Sequence, residues 1–300
     1  MKTGVMPVGQ LSADQVRSVL LAATTPPPVG GGTPWRFHCT PEAITLYADP
    51  PPLARDNGPE NRAQFLACGA ALLNLRLAIR ALGIYPETRL LPAPDRPDLL
   101  AVVLPYGREP ATPVDRLLAE SIGIRGGHQR PFTAATVVAS TQRELRRAAE
   151  IERAWLAAIS PAQLPRLREI LHRAQKGSGR DDGMADFGTE PDRLLAVVGS
   201  LHDAPLSRVQ AGQALQRVLL TAAAAGLSAA FPGEILAAPT SRRELRHLLG
   251  GGLWPQAMVR LGHGAPVPVA ARASLADVVT SDERPFPVSS ADGALRRGPR

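Results

Sequence analysis

Gly69-Ala-Ala-Leu-Leu-Asn-Leu-Arg-Leu-Ala-Ile-Arg-Ala-Leu-Gly83 and Gly212-Gln-Ala-Leu-Gln-Arg-Val-Leu-Leu-Thr-Ala-Ala-Ala-Ala-Gly226 read as two versions of one helix within a single chain. Gly69, Ala71, Leu72, Leu77, Ala81 and Gly83 of the first match Gly212, Ala214, Leu215, Leu220, Ala224 and Gly226 of the second, each pair 143 residues apart. Both helices are apolar on most faces, so neither can lie on a surface without exposing a large apolar patch. They are expected to pack together centrally, related by a pseudo-twofold axis. Both end at glycine, which takes the left-handed conformation of a helix C-terminus without a steric cost. An Ala-x-Val strand follows each helix, Ala101-Val-Val103 and Ala257-Met-Val259. Any two Ala/Leu-rich helices match at several places; the paired glycines, the fixed separation and the repeated strand favour duplication. The chain is therefore read as α+β, with two fused similar halves whose central helices pack on mixed sheets. The halves are placed at residues 1–110 and 111–280, with 281–300 a disordered tail. Fusing two copies of a subunit that once formed a symmetric dimer turns an inter-subunit cleft into an intramolecular one, a favoured place for a small ligand.

Outward from these helices, the other elements follow from local signals. Ser12 and Gln15 form a capping-box pattern, with Leu11 and Val16 placed as a hydrophobic staple. The helix they begin is stopped by Pro26-Pro-Pro28. The loop Val29-Gly-Gly-Gly-Thr33 leads into Pro34-Trp-Arg-Phe37 and Ile44-Thr-Leu-Tyr47, which alternate as strands do. Residues 51–62 read as loop, and Leu99–Leu104 as a buried strand. The second half opens with a helix around Pro113–Ser121 and a loop, Arg125-Gly-Gly-His-Gln-Arg-Pro-Phe132. Thr141 with Glu144, Ser160 with Gln163 and Ser241 with Glu244 read as further helix starts, the last helix ending at Gly250. Residues 176–192, rich in Gly and charge, are expected to be mobile. Leu194–Val198 and Ala257–Leu261 read as strands.

Composition narrows the function. The chain has 300 residues, 44% of them apolar, enough for one large core or two fused ones. Its net charge of +7 and pI near 10.3 raise the question of nucleic acid. Yet Lys2 and Lys176 are the only lysines, and the arginines are mixed with Asp and Glu through every segment. No phosphate-tracking stripe results, so nucleic acid is not expected as a partner; holding one small anionic ligand is the more economical use of a few arginines. No apolar run is long enough to cross a bilayer, and residues 1–10 lack an apolar signal region, so a cytoplasmic protein without membrane contact is expected. Cys39 and Cys68 match no metal or redox spacing, and Cys68 reads as a buried, inert thiol.

The sequence resembles the actinobacterial Acg-type group of nitroreductase-like, FMN-associated proteins. The resemblance is carried by Pro34-Trp-Arg-Phe37, by Arg62 through Cys68 to Arg76, by Pro97-Asp-Leu-Leu-Ala101, by Gly212 to Leu220 with Gly226-Leu227, and by Pro255 to Gly262. These segments run in the family's order over residues 12–279. The resemblance implies a nitroreductase-like fold, internally duplicated, with one FMN site, in a monomer that mimics a nitroreductase dimer. It also marks departures. Where relatives carry Ser-x-His-Asn-x-Gln before Pro-Trp, this chain has Pro28-Val-Gly-Gly-Gly-Thr33. An Arg-Arg-Thr-x-Arg-x-Pro-Phe pattern is reduced to Arg125 through Phe132, and an Arg-Arg pair becomes Ala271-Arg272.

FMN needs cations and backbone donors for its phosphate, polar groups along its pyrimidine edge and an apolar platform. Arg125, Arg130 and Arg272 are the phosphate candidates, because guanidinium forks match phosphate oxygens. Backbone N–H groups of Gly31 and Gly32, with the Thr33 hydroxyl, are the candidates for the ring edge. Trp35 and Phe132 either line the ring or pack structurally. No residue is assigned a catalytic role, since flavin chemistry needs no protein nucleophile. Two functions are carried forward. One is an FMN-dependent oxidoreductase reducing small nitro- or quinone-like compounds, with reduced nicotinamide as a partner. The other is a non-catalytic relative that binds or sequesters flavin, or a cofactor-free scaffold with a degenerate site.

Overall fold

Helices α2 (Pro59–Ala81) and α6 (Pro205–Ala224) cross at the centre of the molecule in the computed structural model, which describes residues 5–25, 33–51, 59–124, 132–133, 135–178, 194–231, 236, 238–264 and 274–280. Their closeness depends on the two matched glycines. A Cβ on Gly69 would stand 2.1 Å from the Val209 carbonyl oxygen, and one on Gly212 would stand 2.2 Å from that of Leu66. Leu66 and Val209 are themselves 143 residues apart, so each helix sets its glycine against the equivalent carbonyl of the other. Such reciprocal contacts define a twofold relation. The cores repeat the exchange: Leu66 joins the apolar cluster of the second half, and Val209 joins that of the first.

Each half lays a sheet against its central helix. In the first, β1 (Trp35–Cys39), β2 (Ile44–Ala48), β3 (Ile84–Leu90) and β4 (Leu99–Arg108) stand in the order β3-β4-β2-β1. In the second, β5 (Trp155–Ala158), β6 (Leu194–Ser200), β7 (Ser228–Ala230) and β8 (Trp254–Gly262) stand in the corresponding order β7-β8-β6-β5, and all these pairings are antiparallel. The correspondence reaches single residues. Leu46 pairs with Ala101 and the register slips just after Leu46; Val198 pairs with Ala257 and the register slips just after Val198. Gly83 and Gly226 close the two central helices at φ of +73° and +72°. Helices α1 (Ala13–Ala23) and α4 (Ala139–Ile151) flank α2 and α6 in turn.

The halves differ by additions. Helix α3 (Pro113–Ile124) packs across both central helices. In the second half, a 3-10 turn (Pro161–Gln163), α5 (Leu164–Ser178) and α7 (Pro239–Leu248) cover the outer sheet face, burying Leu167, Leu171 and Leu245 against Leu195, Val197 and Met258. At the end of the described chain, α8 (Leu275–Val278) and β9 (Val279–Thr280) return to the first half, where β9 runs parallel to β1 with Val279 opposite Phe37. The first sheet is thus five-stranded and mixed.

Ser12 and Ser160 form the expected capping boxes with Gln15 and Gln163. Three expected boundaries are corrected. Residues 59–62, expected as loop, are the first turn of α2. Helix α4 begins at Ala139, ahead of Thr141, because buried Val137 fixes the chain's entry on the second core. Helix α7 begins at Pro239, ahead of Ser241: proline at a first helical position has its φ preset and lacks only an N–H that would have no intrahelical partner. The expected tail at 281–300 and most of the mobile segment at 176–192 lie outside the described residues.

Candidate functional site

The contact between α2 and α6 is apolar at the glycines and polar beyond them. Asn74 accepts a 2.6 Å bond from Gln216, and Arg76 donates to Gln213 at 2.5 Å and to Glu152 at 2.8 Å. Glu152, at the end of α4, also takes Arg217 at 2.7 Å. Burial pushes the Glu152 carboxyl up, but the charges and hydrogen bonds of Arg76 and Arg217 outweigh it and hold the pKa below the usual range. This network fastens the two halves and three helices together.

At the N-terminal ends of the same two helices lies a denser cluster. Arg62 of α2, Arg208 of α6 and Arg242 of α7 are all buried, Arg208 at 1% exposure; Arg208 and Arg242 hold one carboxylate, Asp203, whose charge also acts on Arg62. Arg242 forks onto Asp203 at 2.5 and 2.7 Å, and the Arg208 Nε donates to it at 3.1 Å. Gln256 of β8 donates to Asp203 at 3.2 Å and to the Ser200 hydroxyl at 2.8 Å. Arg62 donates to the Leu236 carbonyl, and Arg242 to that of Pro255. Arg242 also lies over the Trp254 ring. Burial, then the charge of Arg242, lower the Arg62 pKa to about 10; Asp203 opposes and Arg208 adds to the fall. The Arg62 guanidinium therefore stays charged at neutral pH. Asp203 is pushed up by burial but held far below the carboxylate range by hydrogen bonds from Arg242 and Arg208. Among the described residues, Arg208 Nη2 and Gln256 Oε1 are buried here without a hydrogen-bond partner.

Of the residues proposed from sequence for cofactor binding, Thr33 is described and is exposed at the entrance to β1. Gly31, Gly32, Arg125, Arg130 and Arg272 lie outside the described residues, as does His128. Trp35 is buried in the first core, with its indole Nε1 lacking a partner. Phe132 is buried beside Gly262 and under the Arg260 guanidinium, 4.9 Å away. Both rings pack into the protein. The Arg62–Arg208–Arg242 group went unread in the sequence, although the repeat held a signal for it. At the 143-residue separation Arg208 stands opposite Phe65, and the register shared by Ala101 and Ala257 sets Gln256 opposite Leu100. A charge and an amide replace two buried apolar residues. The chemistry of this donor set suits a phosphate group, which needs desolvated cations with a free N–H.

Reciprocal helices, matched strand orders and matched register slips define an α+β protein of two similar halves. It resembles the Acg-type nitroreductase-like proteins along nearly its whole length. The chain is 27% identical to the Mycobacterium tuberculosis protein named "Putative NAD(P)H nitroreductase Rv3131", over 89% of this chain and 91% of the relative. It is 24% identical to "Putative NAD(P)H nitroreductase acg" of the same organism, over 86% of this chain and 91% of the relative. Among solved structures, an FMN-bound nitroreductase from Desulfitobacterium hafniense is similar at 18% identity with a TM-score of 0.45, over 56% of this chain and 98% of that one. No protein-family model matches the chain. No described helix is long and apolar enough to cross a membrane.

Proposed function

We propose that this protein is an FMN-dependent oxidoreductase of nitroreductase type, taking electrons from reduced nicotinamide and passing them to small nitro- or quinone-like compounds. The observation that carries the reading is the similarity to proteins named as NAD(P)H nitroreductases over nine-tenths of the chain. The bound flavin supplies the redox chemistry. The chain's part is to bind and orient it: Gly31 and Gly32 through backbone N–H groups and Thr33 through its hydroxyl at the ring edge, Arg125, Arg130 and Arg272 at the phosphate. The two halves act as one unit, residues 1–110 and 111–280, in a monomer that holds the equivalent of a dimer cleft.

The test is made on the purified full chain. A flavin absorbance band near-stoichiometric with protein, followed by nicotinamide oxidation that depends on an added nitro or quinone acceptor, is the expected result. Protein that takes up no FMN on reconstitution removes the flavin reading. Protein that takes up FMN without turnover shows a flavin-binding relative that is not an enzyme.

A further inference from the structure

We propose that Arg62, Arg208 and Arg242 form an oxyanion site that takes the phosphate monoester of a small molecule. The charge count comes first. Among the described residues, buried Arg208 and Arg242 share the one carboxylate of Asp203, and buried Arg62, which donates to a carbonyl, adds a third guanidinium, a surplus of two positive charges. Buried charge of this size is costly unless paired, and a phosphate monoester carries −1.5 to −2 at neutral pH. Arg208 Nη2 is a buried donor without an acceptor, and Gln256 Oε1 a buried acceptor without a donor. An incoming phosphate with its neighbouring hydroxyl satisfies both. Helix α6 adds a second contribution. Its cap, Ala204, offers no side-chain hydrogen bond, and Pro205 occupies the first turn, so the first-turn N–H groups and the positive end of the helix dipole stand beside Arg208.

The repeat supplies an internal control. The other half fills the position of Arg208 with Phe65 and that of Gln256 with Leu100, both buried. Apolar residues therefore serve this architecture, and replacing a buried ion group with apolar packing is commonly neutral or stabilising. The charge in the second half answers to something other than the fold. The cluster meets solvent at Asp203, whose side chain is 20% exposed. Leu201 and Leu206, exposed and each two residues from Asp203 and Arg208 respectively, suit a ligand whose phosphate carries an apolar or aromatic body.

This site differs in residues from the flavin contacts proposed above, so the two can fail separately. Inorganic phosphate is titrated calorimetrically into the full chain in low-salt, phosphate-free buffer, and FMN and riboflavin are titrated in parallel. Wild-type protein is expected to bind phosphate, and Arg208→Met to bind it at least tenfold more weakly while melting at or above the wild-type temperature. Should Arg208→Met not fold, Arg242→Lys is measured instead, with the same tenfold loss expected because lysine cannot reproduce the fork. Loss of FMN affinity in the variant with riboflavin binding unchanged identifies the phosphate as the flavin's own. Loss of phosphate binding alone identifies a different phosphate ester, and phosphate binding by protein with no flavin affinity upholds the site while ending the flavin reading. No phosphate binding by wild type at millimolar concentration, or equal binding by the variant, overturns the proposal.

Discussion

Glu152 accepts from both Arg76 and Arg217 with its side chain only 4% exposed, so the consequences of removing it can be worked out from charge alone. Glu152→Ala leaves two guanidiniums without their carboxylate, one of them 11% exposed, and breaking such a pair costs about 3 kcal/mol. Glu152→Gln keeps the shape and one acceptor and is expected to cost less. Chemical denaturation measures both; an alanine variant within about 0.5 kcal/mol of wild type, the range of ordinary surface substitutions, shows that the network does not fasten the halves. The sign of the pH effect follows from the same contacts. The folded pKa of Glu152 lies below its unfolded value, so its contribution is present above about pH 4.3 and is lost as pH falls through the folded pKa. Asp203 is shifted in the same direction. Stability of the wild type is therefore expected to fall below about pH 4, and Glu152→Gln to flatten that fall. For the proposed flavin reading, in which Arg272 holds the phosphate, Arg272→Ala is expected to weaken FMN binding by about 1.5–3 kcal/mol, the scale of a charge-assisted hydrogen bond; unchanged affinity removes Arg272 from that role.

At the scale of the elements, four glycines separate two kinds of constraint. Gly69 and Gly212 are required by contact, since an added Cβ meets a carbonyl oxygen of the facing helix at 2.1 and 2.2 Å. Alanine at either must push α2 and α6 apart, and the expected loss is about 3 kcal/mol, at the upper end for overpacking. The two sites share one contact, so the double variant is expected to lose less than the sum. Gly83 and Gly226 are required by conformation: each has positive φ, and a Cβ at Gly226 meets nothing within 4 Å. Alanine there is expected to cost only about 1 kcal/mol. Urea titration of the four single variants tests the contrast, and equal losses at all four contradict the assigned crossing.

Across the whole molecule, the halves are not independently complete. The first half lacks Val209 in its core and α8 and β9 at its sheet edge when it is cut from the second. Residues 1–110 expressed alone also expose the face of α2 that packs on α6. The fragment is expected to remain unfolded or to self-associate, as exposed apolar faces of this size do. A monomeric fragment with dispersed amide resonances and cooperative unfolding shows the halves to be separate domains. The exchange of Leu66 and Val209, and the return of β9, are what two swapped subunits look like once joined in one chain.

The sequence by itself determined the central pair of helices, their glycine ends and the matched strands, because helix periodicity and glycine placement are local chemistry that repeats visibly at a fixed separation. It also determined the α1 cap and the strands with continuous apolar runs. It left β3, β5, β7 and β9 unread: β3 is interrupted by Pro86, β5 and β7 are short and rich in alanine and β9 is two residues long, so pairing with β4, β6, β8 and β1 is what makes them strands. The sheets' common strand order was likewise not legible, since hydrogen-bond partners lie far apart along the chain. The arginine cluster was half legible. Arg208 against Phe65 stands in the aligned repeat, but Arg62 on α2, Asp203 in the turn before α6 and Arg242 on α7 are brought together only by the crossing of α2 and α6 and the packing of α7. Charge can be counted along a sequence; its burial, and therefore its need for a counterion, exists only after the chain has folded.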